Sequence, residues 1–136
     1  MLTIYSDGGA RGNPGPAAFA VVACRNGKII FQHAEFIGSC TNNIAEYRGL
    51  MYAVGYALDS GEKEAEFVMD SELVIEQMKG HYKVRAKDLM RLYEDVKALV
   101  SNIPCAKFRH VRRSDPMITL ADRLLNDKMD GQAENR

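Results

Sequence analysis

Asn26-Gly27 lies between two apolar runs, residues 18–25 and 29–37. A two-residue Asn-Gly loop favours the turn in which both central residues take positive φ, and the twist of that turn matches two antiparallel strands. The dipeptide therefore predicts a hairpin. A third apolar run, residues 2–6, precedes it, so the chain is expected to open with three strands, at least two of them antiparallel. Beyond the hairpin the period changes. Thr41, Asn42 and Asn43 are helix-capping residue types, and Ile44, Tyr47, Met51, Val54 and Leu58 follow at spacings of three and four before Gly61, which predicts an amphipathic helix. Residues 65–69 read as a fourth strand, 71–79 as a helix stopped by Gly80, and 87–101 as a further helix. Past Pro104, residues 106–111 read as a fifth strand and 118–129 as the last helix. A helical crossover returns the chain parallel to the preceding strand, so the pattern implies an α/β domain, a mixed sheet with helices on both faces.

Composition narrows the class further. A chain of 136 residues suits one domain, and 46% hydrophobic with 26% charged residues is too apolar for disorder. No run approaches the roughly 20 apolar residues of a membrane span, and Met1-Leu2-Thr3 leads into a strand without a signal-peptide pattern, so a cytoplasmic protein with no membrane partner is expected. Cys24, Cys40 and Cys105 are odd in number and lack a CxxC spacing, which argues against a disulfide framework or a zinc site. The formal net charge is zero, so a nucleic acid would have to be held by local patches.

Four acids stand out by position. Asp7 is read as ending the first strand, Asp70 as ending the fourth, Glu46 as lying in the first turn of the first long helix, and Asp122 as lying early in the last helix. Ligands of open α/β sheets sit beyond the carboxyl ends of strands near a switch in strand order. Each acid taken singly could be a cap or a solvated charge. Facing one another after apolar strands, they would repel unless a cation neutralised them. An oxygen-only donor set without His or Cys suits Mg²⁺, with Mn²⁺ as the alternative, better than zinc. Two such ions can activate a water and stabilise the departing oxygen of a phosphodiester.

The segments YSDGGARGNPGPAAFAVV from Tyr5, TNNIAEYRGL from Thr41, FVMDSELVIEQMKGHYKV from Phe67 and HVRRSDPMITLADRLLND from His110 span nearly the whole chain. In this combination and order the chain resembles the type 1 ribonuclease H family. The resemblance implies the ribonuclease H-like fold, a five-stranded mixed sheet in the order 3-2-1-4-5 flanked by helices on both faces. It implies a catalytic domain over residues 1–130, followed by a polar, frayed tail over 131–136. The implied reaction is endonucleolytic hydrolysis of the RNA strand of RNA/DNA hybrids by two-metal-ion catalysis, giving 5′-phosphate and 3′-hydroxyl ends. Asp7 and Asp70 would bridge the ions, Glu46 would bind one near the ribose 2′-hydroxyl, and Asp122 would complete the second site. Gly8, Gly12, Asn13, Thr41, Asn42 and Asn43 would contact substrate, Gly8 and Gly9 sparing side-chain bulk where backbone must come close. Asn amides suit minor-groove edges and 2′-hydroxyls, although Asn13 also suits a turn and Thr41 to Asn43 a helix cap.

The chain also departs from the family. Glu72 stands where many relatives carry an amide, and no histidine lies between the fifth strand and the last helix. His110 is expected within the fifth strand and out of reach of the ions, with Arg112 or Arg113 attracting phosphate and Asp115 a candidate for proton transfer. His33 is expected to face solvent. The chain reads as a short form without the basic protrusion or hybrid-binding domain of some relatives. Lys79, His81, Lys83, Arg85 and Lys87 instead place a cation type at every second position, and Lys83 and Arg85 are candidate phosphate contacts. A solvated loop is the alternative for that run. Two other functions remain open: a catalytically silent nucleic-acid-binding module, and a nuclease or integrase relative with another substrate. No protein partner is evident.

Overall fold

The computed structural model describes residues 1–134. Strands β1 (Leu2–Ala10), β2 (Gly15–Arg25) and β3 (Lys28–Cys40) lead into helix α1 (Asn42–Asp59). Strand β4 (Glu64–Met69), helices α2 (Glu72–Met78) and α3 (Lys87–Val100), strand β5 (Cys105–His110) and helix α4 (Pro116–Glu134) follow. The strands form one sheet in the order β3-β2-β1-β4-β5, antiparallel across β3, β2 and β1 and parallel across β1, β4 and β5. Asn26 and Gly27 turn the hairpin with φ of 55° and 74°, as the dipeptide demands.

Strand β2 is buried on both faces, which is why it reads as an almost unbroken apolar run. Val21 and Ala23 join Leu2 and Ile4 in a core closed by α1, α2 and α3. Ala18, Ala20 and Val22 face the other way, onto Ala121, Leu125 and Met129 of α4. Helix α1 lies against the sheet through a stripe of small residues, Ala45, Gly49, Ala53 and Ala57, all buried. Of the large apolar residues that predicted this helix, Ile44, Met51 and Leu58 are only partly buried and flank the stripe. The free energy of the helix comes from a close approach rather than from large side chains alone.

Several boundaries differ from the sequence expectation. Strand β1 does not stop at Ser6. Its antiparallel ladder with β2 continues through Asp7↔Ala20 to Ala10↔Ala17, so Asp7 lies inside the strand rather than at its end. The parallel ladder with β4 stops at Tyr5↔Val68, and the sheet therefore splits between β1 and β4 just before Asp7. Helix α4 continues through residues 131–134, which were expected to fray; residues 135–136 of the expected tail lie outside the described residues. Among the described residues no helix is long and apolar enough to cross a membrane.

Candidate active site

The split between β1 and β4 is where the acids meet. Asp7 lies on β1 just past its last pairing with β4, and Asp70 is the first residue after β4. The chain turns there because Ser71 caps α2, its Oγ accepting from the Val74 amide at 3.3 Å. Glu46, in the second turn of α1 rather than the first, is brought in by Gly8. A Cβ on Gly8 would lie 2.5 Å from the Ala45 carbonyl oxygen and the Glu46 nitrogen, so only glycine lets the helix sit this close. Ligand oxygens of Asp7, Glu46 and Asp70 consequently lie within 4.8 Å of one another. Asp122, on α4, is outside that trio but lines the same cavity of about 630 Å³. Asn126, one turn on, donates its Nδ2 to Asp122 Oδ1 at 3.3 Å, while Arg11 Nη2 donates to Asn126 Oδ1 at 3.3 Å.

Burial makes this cluster a poor home for bare charge. Asp7 is 7% exposed. Its burial, then the charges of Asp70, Asp122 and Glu46, push its carboxyl from 3.8 to about 8 against a favourable Gly8 amide. Burial likewise pushes Glu46 from 4.5 to about 7, with Asp70 adding to the rise and the Ser71 hydroxyl opposing it. At neutral pH the cluster alone therefore holds protons. A divalent cation would displace them, and the all-oxygen donor set fits a hard ion such as Mg²⁺ or Mn²⁺.

Around the acids, Thr41 caps α1, its Oγ1 accepting from the Ile44 amide at 3.3 Å. Asn42 Oδ1 accepts from the Ala10 amide at 2.7 Å, and Asn13 Oδ1 accepts from the Asn42 amide at 3.1 Å. Both carbonyl oxygens thus tie the start of α1 to this edge of the sheet, one at the end of β1 and one in the β1–β2 loop. Gly12 lies in that loop with φ of 103°. Asn43 lines the acidic cavity and also a second cavity of about 630 Å³, whose wall includes Tyr82, Lys83 and Arg85. Between the two cations Val84 is buried, so Lys83 and Arg85 stay exposed on either side of an anchored residue.

Comparison with known proteins agrees with this arrangement. A family profile described as Reverse transcriptase-like matches residues 5–126. LC11-RNase H1, solved in complex with an RNA/DNA hybrid, is 36% identical and superposes with a TM-score of 0.91 over 98% of this chain and 99% of its own. The chain belongs to the type 1 ribonuclease H family. Ribonuclease HI of Halobacterium salinarum is 36% identical over 127 residues, covering 93% of this chain and 63% of that protein. The bifunctional protein Rv2228c of Mycobacterium tuberculosis is 42% identical over 98% of this chain, which spans only 37% of that relative's length. The N-terminal RNase H domain of Rv2228c, solved as a fusion, superposes with a TM-score of 0.91 over 98% of this chain and 96% of the solved chain. Within the ribonuclease H fold, strand order and the mixed sheet are as the resemblance implied.

The structure bears on four of the expectations. Gly8 lines the acidic cavity, and its lack of a Cβ also lets Ala45 and Glu46 pack against it. Asp115 caps α4, its Oδ1 accepting from the amides of Met117 at 2.9 Å and Ile118 at 3.3 Å, with Pro116 at the first helical position. That bonding gives Asp115 a capping role through Oδ1. His110 ends β5, as expected of a strand residue, yet its Nε2 lies 3.2 Å from the Asp70 carbonyl oxygen and so touches the backbone of the cluster. His33 is partly exposed, as expected, and also stacks on Tyr52 with ring centroids 4.4 Å apart. Of the two loop arginines, Arg113 lines the acidic cavity. Arg11 and Asn126 escaped the sequence reading. The i, i+4 spacing of Asp122 and Asn126 was an available signal; the pairing of Arg11 with α4 was not, since it spans 115 residues.

Proposed function

We propose that this ribonuclease H is an endonuclease that hydrolyses the RNA strand of RNA/DNA hybrids by two-metal-ion catalysis, leaving 5′-phosphate and 3′-hydroxyl ends. The observation that carries the reading is the convergence of Asp7, Glu46 and Asp70 ligand oxygens within 4.8 Å, in a cleft too buried to hold their charge alone. Divalent ions, Mg²⁺ or Mn²⁺, supply when bound the charge that activates a water and offsets the departing oxygen. Asp7, Glu46, Asp70 and Asp122 would hold these ions, Asp7 and Asp70 serving both, Glu46 one and Asp122 the other. A chain that merely bound nucleic acid would gain nothing from these acids, which repel phosphate when ionised.

The remaining residues bind and orient. Asn42 and Asn13 are exposed, and their carbonyl oxygens are engaged by main-chain amides, which leaves the NH₂ groups as the groups to offer a ligand. They are then donors, suited to the 2′-hydroxyl oxygen and the minor-groove acceptors of a hybrid. Asn43 and Thr41 extend the same surface, with Thr41 acting chiefly through the helix it caps. Arg113 attracts the phosphate beside Asp122, and Lys83 and Arg85 attract a phosphate backbone across the second cavity. The catalytic unit lies within residues 1–130, since Met129 is the last core residue along the described chain.

The test is a gel assay of labelled RNA/DNA hybrid, single-stranded RNA, double-stranded RNA and double-stranded DNA, with Mg²⁺ and with chelator. The expected result is cleavage of the hybrid alone, in Mg²⁺ alone, with 5′-phosphate products. Cleavage that persists in chelator overturns the metal assignment. Binding of the hybrid without cleavage favours the silent module.

A further inference from the structure

Two polar side chains lie in the core beside the acidic cluster without belonging to it. Tyr47 follows Glu46 on α1 and is fully buried; Gln77, on α2, is 4% exposed. Tyr47 Oη donates to Gln77 Oε1 at 2.6 Å, and Gln77 Nε2 donates to the Lys83 carbonyl oxygen at 3.4 Å. Three segments are joined by these two bonds: the helix that carries Glu46, Asn42 and Asn43, the helix that follows Asp70, and the loop that carries Lys83 and Arg85. Tyr93 of α3 meets the Tyr47 ring edge-on with centroids 6.4 Å apart and fixes it from the far side.

The loop has few other restraints at its centre. Residues 79–86 contain no helix or strand. The amides of His81 and Tyr82 both donate to the Glu76 carbonyl, His81 Nδ1 lies 2.6 Å from Glu76 Oε2 and Tyr82 Oη donates to Glu72 Oε1 at 3.5 Å, which ties down the start of the loop. Around Lys83 and Arg85 the ties are the buried Val84 side chain and the bond from Gln77. Burying a hydroxyl and an amide costs free energy that an apolar pair of equal size avoids, so the polar pair is explained by what it holds in place. Cations held in position before binding lose less conformational entropy when phosphate arrives.

We propose that Tyr47 and Gln77 form a buried relay that sets Lys83 and Arg85 in register with the Asn42, Asn43 and Glu46 face of α1, making Gln77 a positioning residue for substrate phosphate. The proposal rests on the hybrid-nuclease reading above. The relay acts on binding and not on the acids, so its loss raises KM and leaves kcat in place.

The experiment measures hybrid cleavage by the full chain as kcat, KM and the salt dependence of KM. It compares wild type, Gln77→Met, Tyr47→Phe/Gln77→Met and Lys83→Ala/Arg85→Ala, and adds both relay changes to the last background. The double relay variant removes both polar partners together, so no buried hydroxyl is left without an acceptor if Gln77→Met alone fails to fold. The expected result is a rise in KM of about fivefold in either relay variant with kcat retained, and no further rise when Lys83 and Arg85 are already alanine. An unchanged KM in a folded relay variant overturns the relay. So does a fall in kcat, which would mean that Tyr47 shapes Glu46, and so does an equal rise in KM in the alanine background. Failure of the wild-type protein to cut any hybrid overturns the nuclease reading itself and the relay with it.

Discussion

Asp7, Glu46 and Asp70 are carried by β1, α1 and the tight turn into α2, whereas Lys83 and Arg85 ride on a loop without regular structure. The acids sit in a cleft that burial makes hostile to charge. The cations are exposed, and the anchors beside them are the Lys83 carbonyl and the buried Val84 between them. The contrast suits the roles proposed for each region. Acids that hold ions and work on a bond need fixed distances and low dielectric, so that their charge is expressed on the ion and not screened by water. Cations that collect a phosphate backbone act by counterion release, which tolerates solvent and some freedom.

The largest effect that can break this comparison is on chemistry. Asp70→Asn removes a charge while keeping the shape of the residue, and kcat on the hybrid should fall about a thousandfold, or roughly 4 kcal/mol of barrier. Single-turnover cleavage of a folded variant checks this, and near-normal cleavage would remove the acids from catalysis.

A second measurement sharpens the difference in stability. In the unfolded chain Asp7 and Glu46 ionise near their usual values, while the folded, ion-free protein keeps their protons up to about 8 and about 7. The folded state thus binds more protons between about pH 4 and pH 8, and the stability of the ion-free protein must fall as pH rises through that window. Melting followed from pH 5 to pH 8 should show the decline, at about 4 °C per kcal/mol for a chain of this size. Mg²⁺ should restore stability at pH 8 by binding the folded state alone. Asp7→Asn should flatten the decline, whereas Lys83→Ala/Arg85→Ala should leave it unaltered. A decline that survives Asp7→Asn would move its origin elsewhere.

The smallest effect lies on the basic loop. Lys83→Ala/Arg85→Ala should reduce the slope of log KM against log salt by about 1.4 to 1.8 if each cation meets one phosphate, while stability changes by no more than about 0.5 kcal/mol. An unaltered slope would return the loop to ordinary solvated charge.

Much of this contrast was legible before the fold was seen. Asn26-Gly27 announced the hairpin, the three-and-four spacing announced α1, and the segments around Asp7, Glu46, Asp70 and Asp122 carried the family resemblance. Other features were hidden because they depend on neighbours distant in the chain. Strand β1 runs past Asp7 because β2 continues to pair with it, and glycines conceal that ladder from a reading of apolar runs. The packing stripe of α1 was missed because Ala45, Gly49, Ala53 and Ala57 carry little hydrophobic signal of their own. Asp115 looked like a spare acid until the start of α4 was located beside it.

The sequence by itself determined the order of the elements, the turn that pairs β2 with β3, and the identity of the acids, because turn chemistry and helical period are local and motif residues are read directly. Only the tertiary structure decided that three acids converge within 4.8 Å while the fourth lines the same cavity outside that trio. That distance depends on how closely α1 approaches β1, which is governed by Gly8 under Ala45 and by where the ladder to β4 ends. The raised carboxyls and the bonds from Tyr47 through Gln77 to Lys83 have the same origin. Burial, and register between elements as far apart as Tyr47 and Gln77, 30 residues along the chain, are products of packing, and no local pattern encodes them.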